Sequence, residues 1–417
     1  MISKGRVIRT GLFFAFANFL ITATIGFLIR HTNVIPISGF ADSYWIHAHS
    51  HVGFLGWVFT ALFILGYGML LPKNRKINRK IYRLLIYFQI AVLGMLVTFP
   101  IMGYAAPSII FSTLHLLLSI VYAIVFFKNA DKNDLASKFM KAALVFMLIS
   151  SLGPLALGPV MVMGLKGTPW YDMSIYFYLH FQYNGWFTMA VFALLIKQME
   201  HMGIPIDAGK GKLILKLLIY ATILTFALSA LGFGFSRIVN IVGFVGAALQ
   251  IWAGFIFVKM LFFDSDISKF LTNNWVKWFL GVALFSWLLK IVMQLFSAFP
   301  AVSDFAFFNR DAIMTYLHLS FLGMTSCFLI GLLIVRKYLS VSGIISRIGF
   351  ILFLVGVVLM EVTIGMKSLP QYLSLELFQS IKYLLFADAL ILLISIFILL
   401  FFAFILPNRA IKQKRLF

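Results

Sequence analysis

The chain has one cysteine, Cys327, and it lies inside an apolar run. A single thiol excludes an intrachain disulfide framework, a cysteine-based zinc site and a thiolate-held iron–sulfur cluster. Charge is scarce as well: 11% of the 417 residues are charged and 62% are hydrophobic. Mean hydropathy is +1.01, which excludes an ordinary soluble domain and calls for transmembrane helices. Acid is scarcer than base, with 13 Asp and Glu against 34 Lys and Arg, for a net charge of +21. Glycine-rich phosphate loops, Gly-x-Ser-x-Gly and His-Glu-x-x-His are all missing, which removes the commonest nucleotide, serine-hydrolase and zinc-protease readings.

Long apolar runs are abundant. Twelve segments can be counted, at about 8–30, 45–71, 80–102, 107–127, 138–163, 173–198, 212–234, 238–262, 275–298, 312–335, 344–366 and 379–406. The expected fold is an all-α polytopic membrane protein, one domain over 1–417, with the first segment a retained helix rather than a cleaved signal. If the N-terminus is cytoplasmic, 27 of the 34 basic residues fall on the cytoplasmic side, including Arg409, Lys412, Lys414 and Arg415. The other seven are Arg30, Lys166, Arg237, Lys290, Arg310, Lys367 and Lys382. This split predicts that both termini are cytoplasmic. It also explains the basic charge without nucleic acid, since the excess is spread over seven separate segments.

Histidine is the informative residue. The second segment opens with 45-WIHAHSHVGFLGW-57, holding His47, His49 and His51; His115, His180 and His318 lie on the fourth, sixth and tenth. The even segments run inward, which puts these imidazoles in one layer of the outer third, roughly 10–13 Å deep at about 1.5 Å per residue. Lys290, Glu361 and Asp388 reach the same height, as do Gln182, Tyr183, Asn184 and Gln294. Ionisable groups at such depth usually face a bundle interior and mark a functional path. Each one alone is also readable as a satisfied core residue, and Glu361 and Asp388 as partners of Lys290.

Three of the histidines share a pattern: 51-HVGFLGW-57, 180-HFQYNGW-186 and 318-HLSFLGM-324. Each is His, four residues, Gly, then a large apolar residue, on segments four apart. The spacing predicts three similar four-helix units. The glycine opens space beside its helix, for a flat macrocycle or for a neighbouring helix. Neutral imidazoles from facing helices, padded by aromatic and aliphatic groups, suit a b-type haem, one or two copies, with copper or another metal as a further ligand. His47 and His51 share a helix face, and His49 points about 160° away from each.

This layout resembles the haem–copper oxidase subunit I superfamily, whose members have twelve helices in three arcs of four and haems in the outer half of the membrane. The segment 49-HSHVGFLGW-57 is similar to the haem-ligand motif on the tenth helix of the cbb3-type oxidases, although here it lies on the second. The resemblance implies His51 and His318 as the low-spin haem pair, with His49 as the alternative to His51. It implies a metal at His180, with His115 or His47. The superfamily's adjacent copper-ligating histidines on the seventh helix are missing from 213-LILKLLIYATILTFALSALGFG-234, and the tenth has one histidine, so a standard copper–haem centre is not implied. The 47-HAH-49 triplet also resembles the NnrS family, twelve-helix haem- and copper-containing membrane proteins linked to nitric-oxide stress.

The expected function is electron transfer or handling of NO or O2 in a bacterial inner membrane. Lys290, Arg237, Arg310 and Lys367 are candidate propionate partners, and Glu361 and Asp388 candidate proton partners. Partners would be membrane lipid, a cytochrome or quinol donor, and a second copy of the chain. The rival classes are a secondary transporter or channel and a non-catalytic partner in a respiratory complex.

Overall fold

Capping explains where many helices begin. Ser3, Asn74, Asp134, Asp207 and Asn273 each accept a backbone amide from the first turn of the helix that follows, filling donors that a helix start leaves free. The Lys210 amide holds the Asp207 carboxyl below its ordinary range. In a computed structural model, residues 2–233, 237–271, 273–370 and 373–407 are described. The basic residues 409, 412, 414 and 415 and the C-terminus lie outside them.

Among the described residues the long helices are α1 (Lys4–Thr32), α2 (Asp42–Leu70), α3 (Arg75–Met102), α4 (Ala106–Asn129), α5 (Leu135–Val162), α6 (169–201), α7 (Ala208–Leu231), α8 (Arg237–Phe262), α9 (Asn274–Phe296), α10 (Arg310–Val335), α11 (Ile344–Lys367) and α12 (Leu375–Ile405). Eleven are long and apolar enough to cross a membrane. The remaining one, α6, is just as long. His180, Gln182, Tyr183 and Asn184 interrupt its midsection and lower its hydropathy. A short helix, Pro300–Phe308, precedes α10. No strand occurs among the described residues. The chain is therefore an all-α polytopic membrane protein.

The helices form a ring around three pillars. In the apolar windows of α2 and α10, 89% of residues are buried, against 22–44% in the other nine helices that qualify as spanning. The third pillar is α6, whose residues 180–194 are all buried. Around them α3, α4, α5, α7, α8, α9, α11, α12 and α1 pack in turn, with α12 closing on α1. Phe54 of α2 joins the pillars, 5.3 Å from Tyr183 of α6 and 5.6 Å from Phe321 of α10. The Trp57 indole donates to Ser326 Oγ at 2.9 Å.

The three motif-bearing helices share local detail. Immediately after His51, His180 and His318, each pillar widens into a π-helical stretch: Val52–Phe59, Phe181–Phe187 and Leu319–Ser326. Hydroxyls support the wide turns by donating to the carbonyl five residues back. Thr60 bonds Leu55 at 3.1 Å, Thr188 bonds Tyr183 at 2.7 Å and Thr325 bonds Ser320 at 2.8 Å. Such insertions recur at functional sites. A fourth stretch, Leu399–Ile405 in α12, follows no histidine.

The repeat glycines also match. A Cβ on Gly56 would strike Asn18 of α1, on Gly185 Phe146 of α5, and on Gly323 Ser286 of α9. Each pillar thus seats its glycine against the first helix of its own four-helix unit. Of the two uses of the glycine, helix packing is the one these contacts display.

Candidate functional site

The three motif histidines have different neighbours. His51 faces α3 and the link 103–105, with Phe99 4.4 Å and Tyr104 5.9 Å away between ring centres. His180 faces α7, on Thr222 and Phe226. His318 of α10 lies within electrostatic reach of Arg30 of α1. The ring of His49 fills the space beside Gly26 of α1. Of the two histidines expected as partners of His318, His49 is the one within its electrostatic reach, while His51 packs against Phe99 and Tyr104.

Hydrogen bonds divide the histidines into two kinds. His49 Nδ1 lies 3.0 Å from the Thr22 carbonyl, His51 Nδ1 2.9 Å from the His47 carbonyl, and His318 Nδ1 2.9 Å from the Met314 carbonyl. A carbonyl only accepts, so each ring carries its proton on Nδ1 and presents a Nε2 lone pair. That is the arrangement of metal-ligating histidines. His49 and His318 have no hydrogen bond at Nε2 among the described residues. All three residues are partly rather than fully buried.

His180 is the other kind. Its Nε2 donates to the Thr222 carbonyl at 2.8 Å, and its Nδ1 accepts from Asn184 Nδ2 at 3.2 Å. Both nitrogens are engaged, and no lone pair is left for a metal. Asn184 Oδ1 accepts from Lys290 Nζ at 2.5 Å and from the Tyr316 hydroxyl at 3.1 Å. Lys290 is 0% exposed and Asn184 3%. The compartment of His180 is a filled polar network. Lys290 belongs to it.

Two carboxylates on α11 and α12 stand out for their unpaired oxygens. Both carboxyl oxygens of Glu361 and one of Asp388 are buried without a partner among the described residues, as is His31 Nδ1. Thr363 and Arg30 lie within electrostatic reach of Asp388. Toward the histidine-bearing end a cleft of about 730 Å³ is lined by Arg30, Asn33, Lys367, Glu376, Gln379 and Lys382. Lys367 also pairs with Asp311 at 3.0 Å. Of the other two surface cations, Arg310 is exposed within electrostatic reach of His47, and Arg237 is exposed at the start of α8.

His115 and His47 have other neighbours. His115 is boxed by Phe59 and Phe88 at 4.6 and 4.7 Å, about two turns of α2 below His51, and its Nε2 is buried without a partner. His47 packs against Tyr104 at 4.5 Å. Among the described residues no group of three His, Cys, Asp or Glu side chains is arranged to hold a metal ion.

Sequence reasoning passed over Arg30, Tyr104 and Tyr316. Arg30 could have been found, because it is one of only seven basic residues off the basic side. Tyr104 and Tyr316 carry no periodic or motif signal. The chain matches no protein-family model and no curated protein.

Proposed function

We propose that the chain is a haem-binding membrane protein, laid out like haem–copper oxidase subunit I, that carries one b-type haem between His49 and His318 and serves electron transfer. The observation that carries this reading is the matched pair of imidazoles. Each lies with Nδ1 against a backbone carbonyl and has no hydrogen bond at Nε2 among the described residues, and the two, on neighbouring pillars, are within electrostatic reach of each other.

The surrounding residues fit the group. Arg30 and Lys367, on the cleft at the histidine-bearing end, would hold the propionates. Glu361 and Asp388 have unfilled carboxyl oxygens for protons or ordered water. Bound there, a haem would supply a one-electron couple. With two imidazole ligands its iron has no open coordination position, which favours electron transfer over binding of NO or O2. His180, engaged at both nitrogens, argues against a copper partner in its compartment.

On this reading all twelve helices span, α6 included, and the arginine- and lysine-rich end faces the cytoplasm of a bacterial inner membrane. The electron donor would be a cytochrome or a quinol. A transporter reading rests on the same buried charges, Lys290, Glu361 and Asp388.

The test is the visible spectrum and pyridine haemochrome of the purified protein. A Soret band with one haem per chain is expected, lost in His49→Ala and His318→Ala. A purified chain without a Soret band would sink the haem reading in favour of the transporter.

A further inference from the structure

At the basic end the pillars finish among cations. Arg336, which follows the last residue of α10, donates from Nη1 to Gln198 Oε1 of α6 at 3.1 Å and lies 3.4 Å from His201 Nδ1. Lys4, the first residue of α1, donates to the Leu71 carbonyl at the end of α2 at 2.5 Å. It is within electrostatic reach of Lys73 and Arg336, and His201 is within reach of Lys4. None of Lys4, Lys73, Arg336 and His201 pairs with a carboxylate among the described residues, because Asp134 and Glu200 are both taken by Lys197.

The groups left over all donate. A guanidinium cannot accept, so His201 accepts at Nδ1 and carries its proton on Nε2. Arg336 Nε and Nη2 and His201 Nε2 have no hydrogen-bond partner among the described residues. Gln198 is buried and Arg336 partly so, which holds the guanidinium in one place.

The next residue adds charge at a backbone cost. Lys337 adopts φ +58° and is the one non-glycine residue at positive φ among the described residues. Its amide and that of Tyr338 return to the Ile334 and Leu333 carbonyls at 3.0 and 2.9 Å, the helix-ending turn that glycine closes without steric cost. Helix C-termini attract cations, which accounts for Lys4 on the Leu71 carbonyl. It does not account for a lysine in a glycine conformation next to Arg336, where the added charge raises the repulsion.

We propose that Arg336, His201, Lys4 and Lys73, with the exposed Lys337 at the rim, form a site for a phosphate group. The guanidinium fork matches phosphate oxygens, and the ammonium groups add point charge. The phosphate belongs either to a soluble phosphate or diphosphate ester or to the headgroup of an anionic lipid. The site lies at the opposite end of the pillars from His49 and His318 and does not rest on the haem reading.

The experiment uses the purified full chain in phosphatidylcholine nanodiscs, titrated calorimetrically with diphosphate at fixed ionic strength. Saturable binding of one equivalent is expected. Arg336→Gln should bind about tenfold more weakly. Lys337→Gly should bind about threefold more weakly while its melting temperature stays equal or rises, an opposition that a purely structural lysine would not give. If Arg336→Gln fails to fold, by elution profile and melting temperature, Lys4→Gln takes its place, with about threefold weaker binding expected. A second titration with phosphatidylglycerol in the disc separates the two sources. Unchanged affinity assigns a soluble phosphate, and a loss of about tenfold by competition assigns the lipid headgroup. The proposal is overturned if the wild type does not bind diphosphate, if chloride competes equally well, or if the folded Arg336→Gln or Lys4→Gln variant binds as the wild type does. Haem content should be the same in all these variants, so the two readings fail separately.

Discussion

His318 and His180 open the same motif on two pillars, yet their surroundings oppose each other. His318 donates Nδ1–H to a carbonyl one turn back and has no hydrogen bond at Nε2 among the described residues. His180 spends Nε2 on Thr222 and Nδ1 on Asn184, and a buried lysine completes the network. A shared motif therefore fixes where an imidazole sits, while its neighbours decide whether it can ligate. The side chain that makes the difference is Asn184, one turn after His180. The matching positions after His51 and His318 are Leu55 and Leu322, which cannot engage an imidazole.

That contrast can be broken at several points. The largest effect is expected at the free pair: His318→Ala should abolish haem retention, whereas His180→Ala should leave haem content unchanged and lower the melting temperature. Haem content by pyridine haemochrome checks both. Next comes the network. Asn184→Leu would strip partners from Lys290, Tyr316 and His180 together, and should destabilise by about 3 kcal/mol, read by thermal unfolding in detergent. A stable Asn184→Leu variant would mean that the network contributes little.

The glycines give a smaller and graded test. Gly185→Ala would overlap Phe146 Cβ, which cannot swing away, and should cost about 2 kcal/mol. Gly323→Ala would meet the Ser286 hydroxyl first, which can rotate, and should cost about 1 kcal/mol. Equal losses would contradict the packing account. The smallest effect is at the basic end. Asp134 caps α5 through the Ser137 amide at 3.1 Å and pairs with Lys197 at 3.2 Å. Asp134→Ala should cost about 1 kcal/mol, with haem content unaffected.

Much of this architecture is legible in the sequence. Apolar runs of about 20 residues place the helices, and only α6 falls short, because its polar midsection is the part that builds the network. The His-x4-Gly repeat correctly marks α2, α6 and α10 as equivalent, and the structure makes them the three pillars. What the repeat cannot give is azimuth. It singles out His51 as the counterpart of His318, but His51 packs against Phe99 and Tyr104, whereas His318 lies within electrostatic reach of His49 and Arg30. In the proposed function the haem pair comes from unequal positions, His49 and His318. The π-helical turns are also hidden, since nothing in the apolar periodicity separates Thr60, Thr188 and Thr325 from other helix hydroxyls until their carbonyl partners are seen.

The most direct measurement is the low-temperature electron paramagnetic resonance spectrum of the oxidised protein, recorded for the wild type, His49→Ala and His51→Ala. A low-spin bis-imidazole signal in the wild type and in His51→Ala, absent from His49→Ala, is the predicted result. Loss of that signal in His51→Ala with retention in His49→Ala would contradict the account.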